Sequence, residues 1–228
     1  MREAVDALPP LTVRLGRLVG TRVVEVATDA WLGARTRGLV RNEGALRRVS
    51  VGGDSEYYEA IRLTWWRRIM STPTVVPRES TFVDLGAGRG RALLLAARRG
   101  FREVVGVELD EALAEEARAN LRRWSSRRGT RGRAQTLRVV VGDAATFPPP
   151  RGPLLVFIAN AFGVTTLHHV LTALCSTPRG DEAAFIAYFN PQREHVFADF
   201  PRLVVHARGD DWVVYRLVGA PGPGAPGS

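Results

Sequence analysis

Phe82-Val83-Asp84-Leu85-Gly86-Ala87-Gly88-Arg89-Gly90 is the stretch on which the fold of this chain turns. A β run over Thr81 to Leu85 enters three glycines at alternate positions. A helical pattern follows over Arg89 to Arg99, closed by Gly100. Glycines let a backbone pass close beneath a ligand, and a helix start offers unpaired N–H groups. The spacing is GxGxG. A dinucleotide fingerprint needs a small residue at its sixth position, where this chain has Arg91, and an arginine there opposes close helix-to-strand packing. Asp84, just before the loop, repels a pyrophosphate and suits a cation such as a free amino group.

Reading outward, the next strand ends in Val105-Gly106-Val107-Glu108, whose acid can accept from both hydroxyls of a ribose. Asp110 is placed to N-cap a helix with the apolar stripe Leu113, Ala117, Leu121 and Trp124. A third strand, Leu137 to Val141, ends in Gly142-Asp143-Ala144, where an acid can take a proton from an adenine amino group. The apolar run Pro153 to Ala159 predicts a central strand covered on both faces, and it ends in Asn160-Ala161-Phe162-Gly163. Four consecutive strands therefore deliver polar groups at their carboxyl ends, where open α/β sheets bind ligands.

The rest of the chain extends the same alternation. Gly163 to Ser176 reads as a helix and Ala183 to Phe189 as a strand, with residues 191 to 200 helical or irregular. Leu203 to His206 and Trp212 to Leu217 read as a closing hairpin. The fold class is α/β, a doubly wound, mostly parallel seven-stranded sheet with a reversed C-terminal hairpin strand. A largely helical extension over residues 1–78 precedes the domain at 79–218 and covers the mouth of its site. Within that extension a helical pattern runs from Ser55 through Tyr58, Ile61, Leu63, Trp65 and Ile69. Residues 219–228 form a Pro/Gly tail expected to be disordered.

These residues together resemble the class I S-adenosylmethionine-dependent methyltransferases, over about Phe82 to Leu217. The resemblance implies that Asp84, Gly86, Ala87, Gly88 and Gly90 hold the methionine part of S-adenosylmethionine. It implies that Glu108 serves the ribose and Asp143 the adenine, that Leu109 and Ala144 join the cofactor site, and that Asn160 serves cofactor and acceptor together. The short, proline-rich connection from Asp143 to Gly152 departs from the family pattern, leaving little room for a helix. Asn160-Ala161-Phe162-Gly163, with Leu154 to Phe157 before it, is also similar to the non-SET, Rossmann-type protein-lysine methyltransferases. In amino-directed relatives such an amide and ring hold a nitrogen acceptor, so Asn160 and Phe162 are catalytic candidates, joined by Tyr57 as an upstream tyrosine. The expected reaction is methyl transfer to a nucleophile, leaning to a nitrogen of a small molecule or a protein side chain. Two other readings stand beside it: an NAD(P)-dependent oxidoreductase, and a non-catalytic RNA-binding or interaction module on the same fold.

Composition narrows these classes. All 32 basic residues of the 228 are arginine, which excludes lysine Schiff-base chemistry and a P-loop lysine. The net charge of +9 is local: Arg118 to Arg138 holds eight arginines and no acid, and the other 207 residues carry +1. That segment is a candidate surface for a weak acidic partner. His168 and His169 are adjacent and face different ways on a helix, so no metal site is expected. The single cysteine, Cys175, and the absence of a leader-like or membrane-length apolar run lead to the expectation of a cytoplasmic protein.

Overall fold

The computed structural model describes residues 23–37, 40–41, 57–58, 60–127, 134–179 and 182–219. The Pro/Gly tail beyond residue 219 and residues 1–22 lie outside the described residues. Residues 23–32 are helical (α1). A two-stranded antiparallel ribbon then pairs Val40–Arg41 (β1) with Tyr57–Tyr58 (β2), ahead of helix α2, Leu63–Met70. The helical pattern read from Ser55 is thus corrected. The helix begins at Leu63, because Tyr57 and Tyr58 pair with a distant strand rather than coil locally.

The sheet comprises β3 (Thr81–Leu85), β4 (Glu103–Glu108), β5 (Thr136–Val141), β6 (Leu154–Ala159), β7 (Ala184–Phe189), β8 (Leu203–Gly209) and β9 (Trp212–Leu217). Its order is β5-β4-β3-β6-β7-β9-β8, with β9 antiparallel to both neighbours. The expected closing hairpin is therefore present, and chain order reverses between β3 and β6. The crossover helices are α3 (Arg91–Arg99), α4 (Glu111–Ser125) and α5 (Val164–Ser176). Helix α3 starts at Arg91 rather than Arg89, since Gly90 holds a left-handed conformation as its N-cap. No α-helix joins β5 to β6. A single 3-10 turn, Ala144–Thr146, and a proline-rich strand of chain make that connection.

Alternate residues of each strand feed two cores, as the two-residue repeat of a strand requires. Phe82, Val104, Leu155, Phe157 and Phe185 pack with α2, α3 and α4 on one face. Val83, Leu85, Val105, Val156, Ile158 and Ile186 pack with α5 on the other. Trp66 of α2 sets its edge against Phe82 and Phe157, with ring centroids 5.5 and 6.0 Å away. An aromatic side chain buried this way contributes about 1.5–3 kcal/mol, plus about 0.5–1.5 kcal/mol for edge-to-face geometry.

The residues preceding the sheet are bound to it by charge. Arg91, at the start of α3 and 1% exposed, reaches up to α1. Its guanidinium pairs with Glu25, lies 3.1 Å from Asp29 Oδ1, and donates to Thr36 Oγ1 at 2.6 Å. An arginine at this position does not block helix packing as expected for a dinucleotide site. It turns away from the sheet and is consumed by α1. Asn120 of α4, equally buried, completes the attachment: its amide donates to Arg35 O and to Arg89 O, and its oxygen accepts from Arg35 N.

Candidate functional site

The glycine loop is held by the strand beside it. Gly86 N and Ala87 N both donate to Val107 O, at 2.9 and 3.0 Å, so the chain leaves β3 bent over β4. Gly106 makes that approach possible, since a Cβ there would fall 2.6 Å from Leu93 Cδ1 and 2.9 Å from Ala87 Cβ. Glu108, at the end of β4 and 7% exposed, then clasps the loop. Its Oε2 accepts from Gly88 N at 2.7 Å and its Oε1 from Asp110 N at 2.9 Å. Burial pushes the Glu108 carboxyl up, and the two backbone donors pull it partly back. A carboxylate has about four lone-pair sites, so two remain for further donors.

Asp84 is the acid on which the site turns. It is 3% exposed, and among the described residues no donor is hydrogen-bonded to its carboxylate. Burial first, and then the charge of Glu108, push it up to about 8. A buried carboxylate beside another acid, with no partner of its own, is in an environment that demands a cation. A ligand with an ammonium group would meet that demand, and ribose hydroxyls would use the remaining capacity of Glu108. On these grounds the donor and acceptor set fits S-adenosylmethionine.

Asp143 lies exposed at the end of β5, where it N-caps the 3-10 turn by accepting from Ala145 N at 2.8 Å. Ala144 beside it is buried, whereas Leu109 after β4 is half exposed. Asp110 caps α4 as expected, accepting from Leu113 N.

Across the point where strand order reverses, the loop after β6 meets the glycine loop. Gly86 has φ +82°, and a Cβ on it would lie 2.5 Å from Ala161 Cβ and 3.8 Å from Phe162. Asp84, Glu108, Gly86, Ala161 and Phe162 are thus brought to one sheet edge. Asn160 adopts φ +44°, and its Oδ1 accepts from the Arg193 guanidinium at 3.0 Å. The Tyr57 backbone lies in the β1–β2 ribbon, and its side chain is outside the described residues.

Sequence reading missed Arg193 and Asn190. A signal existed: β7, like β6, ends on an asparagine, and an Asn-Pro pair follows as a turn marker. The histidines lie elsewhere. His168 packs on Phe200, His206 packs on Phe185, and His169 and His195 are exposed. Among the described residues no cluster of His, Cys, Asp or Glu could hold a metal ion. Among them too, no helix is long and apolar enough to cross a membrane. Four arginines of the basic segment are engaged within the chain: Arg118 with Glu115, Arg123 with Asn120, Arg127 with the carbonyls of Ala30 and Trp31, and Arg138 with Glu103.

Comparison with known proteins points to one family. Residues 82–177 match the model of a methyltransferase domain. A trans-aconitate 2-methyltransferase of Methylobacterium radiotolerans is 38% identical over 90 residues, which is 39% of this chain and 28% of that protein. The chain thus spans little more than a quarter of that relative's length. Among solved structures, geranyl diphosphate C-methyltransferase of Streptomyces coelicolor, in complex with S-adenosyl-L-homocysteine, aligns with a TM-score of 0.52 and 17% identity, over 69% of this chain and 76% of that one. The PH0226 protein of Pyrococcus horikoshii aligns with a TM-score of 0.51 and 15% identity, over 77% and 99%. At these identities the structural likeness establishes the fold.

Proposed function

We propose, from the premise that residues 82–177 are a class I S-adenosylmethionine-dependent methyltransferase domain, that this chain transfers a methyl group from S-adenosylmethionine to a nucleophile of a small molecule or protein side chain. The observation that carries the reading is Asp84, a buried acid without a donor, standing beside the Glu108 clasp on the glycine loop. The cofactor, when bound, supplies an activated methyl group on a sulfonium. Asp84 would face its amino group, Glu108 its ribose, and Asp143 its adenine, while the loop after β6 closes over the Gly86 side. This chain's part is to hold and align the reacting groups and to exclude water, which is most of what methyl transfer asks of a protein.

The two other readings lose support on specific residues. Against the oxidoreductase stand Asp84, buried at the entry to the glycine loop where it opposes a pyrophosphate, and the closing strand β9, antiparallel to β7. The four engaged arginines reduce what the basic segment offers to RNA or to an acidic partner. The expected lean to nitrogen rested on Asn160 and Phe162, and the Asn160 side-chain oxygen takes a hydrogen bond from Arg193. We place the activity in the cytoplasm.

Calorimetry with S-adenosylhomocysteine tests the reading. Binding is expected to the wild type and to be strongly weakened in Asp84→Ala and Glu108→Ala. A wild type that does not bind, or variants that bind equally well, would overturn it.

A further inference from the structure

On the face of the sheet covered by α2, strand register links Asp84 to a row of aromatic side chains. Asp84 pairs with Phe157 and Phe157 with Ala187, so the three side chains point the same way. Phe157 and Ala187 lie in the core beneath α2, which puts the Asp84 carboxylate on that side as well. Two residues further along, at the carboxyl edge, the matching row is Ala159, Phe189 and Trp212. All three pack on that same core.

The row is uneven. β9 contributes an indole, β7 a phenyl ring and β6 a single methyl group. β3 adds nothing, because it ends at Leu85 and Gly86 turns the chain over β4. Asn160 and Asn190 follow with φ of +44° and +50°, so neither β6 nor β7 carries the row further. Backbone of this kind clusters at functional sites. A step is left over Ala159, with Phe189 as its wall. Ala161, set against Gly86, bounds the cofactor side. Trp65 bounds the other. Its helix begins beside the start of α3, where Ile61 O accepts from Arg91, and its ring centroid lies 6.1 Å from that of Phe189. Ala159, Phe189 and Trp65 are each half-buried. The Arg68 guanidinium lies over the Trp65 ring, 5.2 Å from its centroid. β3 and β7 stand two strand spacings apart, about 10 Å, so the step opens within a small molecule's length of Asp84.

We infer that Phe189 and Trp65 select the methyl acceptor, and that the acceptor presents an uncharged aromatic ring seated over Ala159 against these two side chains. The inference rests on the methyltransferase reading above. Half-buried rings in a cleft hold a flat apolar group by area and also by offset or edge-to-face contact, which a saturated group of equal size does not make. No member of the row carries a charge, so a charged ring would lose water there without gaining a partner from it.

The test uses the full chain saturated with S-adenosylhomocysteine and three probes on one skeleton, 2-naphthol, its saturated analogue decahydro-2-naphthol, and 2-naphthoate, followed by calorimetry. 2-Naphthol is expected to bind with little dependence on salt, and the other two at least about tenfold more weakly. Phe189→Leu should raise the 2-naphthol dissociation constant at least about tenfold, and Phe189→Tyr, which restores a ring, should recover most of the loss. Ala159→Leu should fill the step and abolish binding. Trp65→Leu should weaken 2-naphthol as well and keeps the test alive if Phe189→Leu does not fold. Binding of S-adenosylhomocysteine to the Phe189 and Trp65 variants should stay close to wild type. The inference is overturned if 2-naphthol does not bind wild type, if decahydro-2-naphthol or 2-naphthoate binds as tightly, or if 2-naphthol binds wild type, Phe189→Leu and Trp65→Leu alike. Failure of S-adenosylhomocysteine itself to bind wild type would instead remove the cofactor reading on which the inference stands.

Discussion

Gly88 N donates to Glu108 Oε2 at 2.7 Å, so the glycine loop after β3 is held by the acid that ends β4. The loop and the acid are one device. The same carboxylate that would receive a ribose also sets the height of the backbone beneath it. Glu108→Gln replaces one acceptor oxygen with an NH2 group, which must then face either Gly88 N–H or Asp110 N–H. The affinity for S-adenosylhomocysteine is expected to fall about tenfold in Glu108→Gln and about a hundredfold in Glu108→Ala, read by calorimetry.

Asp84 makes binding release a proton. Its pKa of about 8 in the free protein leaves it mostly protonated at pH 7, and an ammonium brought against it favours the ionised form. Titration with S-adenosylhomocysteine at pH 7, in buffers of different ionisation enthalpy, should show proton release that disappears in Asp84→Asn. Affinity should rise as pH increases from 6 to 8 in the wild type and stay flatter in the variant.

The same residue sets the pH dependence of stability. The folded pKa of about 8 lies above the ordinary value of 3.8, so this contribution is fully present below pH 4 and is lost as pH rises through 8. Asp84→Asn should therefore raise the melting temperature of the ligand-free protein at pH 8.5 and change it little at pH 4.5. Equal effects at the two values would mean that Asp84 is not the titrating group.

Gly86→Ala is expected to cost about 1–3 kcal/mol in urea denaturation, from a left-handed backbone that disfavours a side chain and a Cβ 2.5 Å from Ala161. The double variant Gly86→Ala with Ala161→Gly should recover part of the loss. The clash would be gone, and the backbone term would remain.

Arg91→Met should destabilise by about 1–3 kcal/mol, because Asp29 loses one of its two guanidinium partners and keeps Arg37. Hydrogen exchange should accelerate first in residues 23–37, ahead of the sheet. Uniform acceleration across the chain would show that α1 is not anchored by this residue.

The sheet was legible because its signals are local. The run Thr81 to Leu85, the apolar stretch before Asn160 and the final hairpin each carry their own pattern, and acids at successive strand ends mark the candidate site. What stayed hidden depends on partners far along the chain. Arg91 looked like an obstruction because its acids, Glu25 and Asp29, lie 66 and 62 residues upstream. Tyr57 and Tyr58 looked helical because the spacing of Ile61, Leu63 and Trp65 runs on smoothly from them, whereas β1 decides their state. Arg193 carried no periodicity at all. It is placed by a left-handed asparagine and by an amide 33 positions away.

The buried guanidinium of Arg91 also fixes how little of the chain can be cut away. A fragment trimmed to the start of the sheet, near residue 79, would retain all seven strands of the sheet and every acid of the candidate site, yet would lose the acids that pair with Arg91 and the Trp66 ring that covers Phe82 and Phe157. A piece that keeps this pairing must reach back at least to Glu25. The arginine in the glycine motif thus ties the residues from Glu25 onward to the sheet.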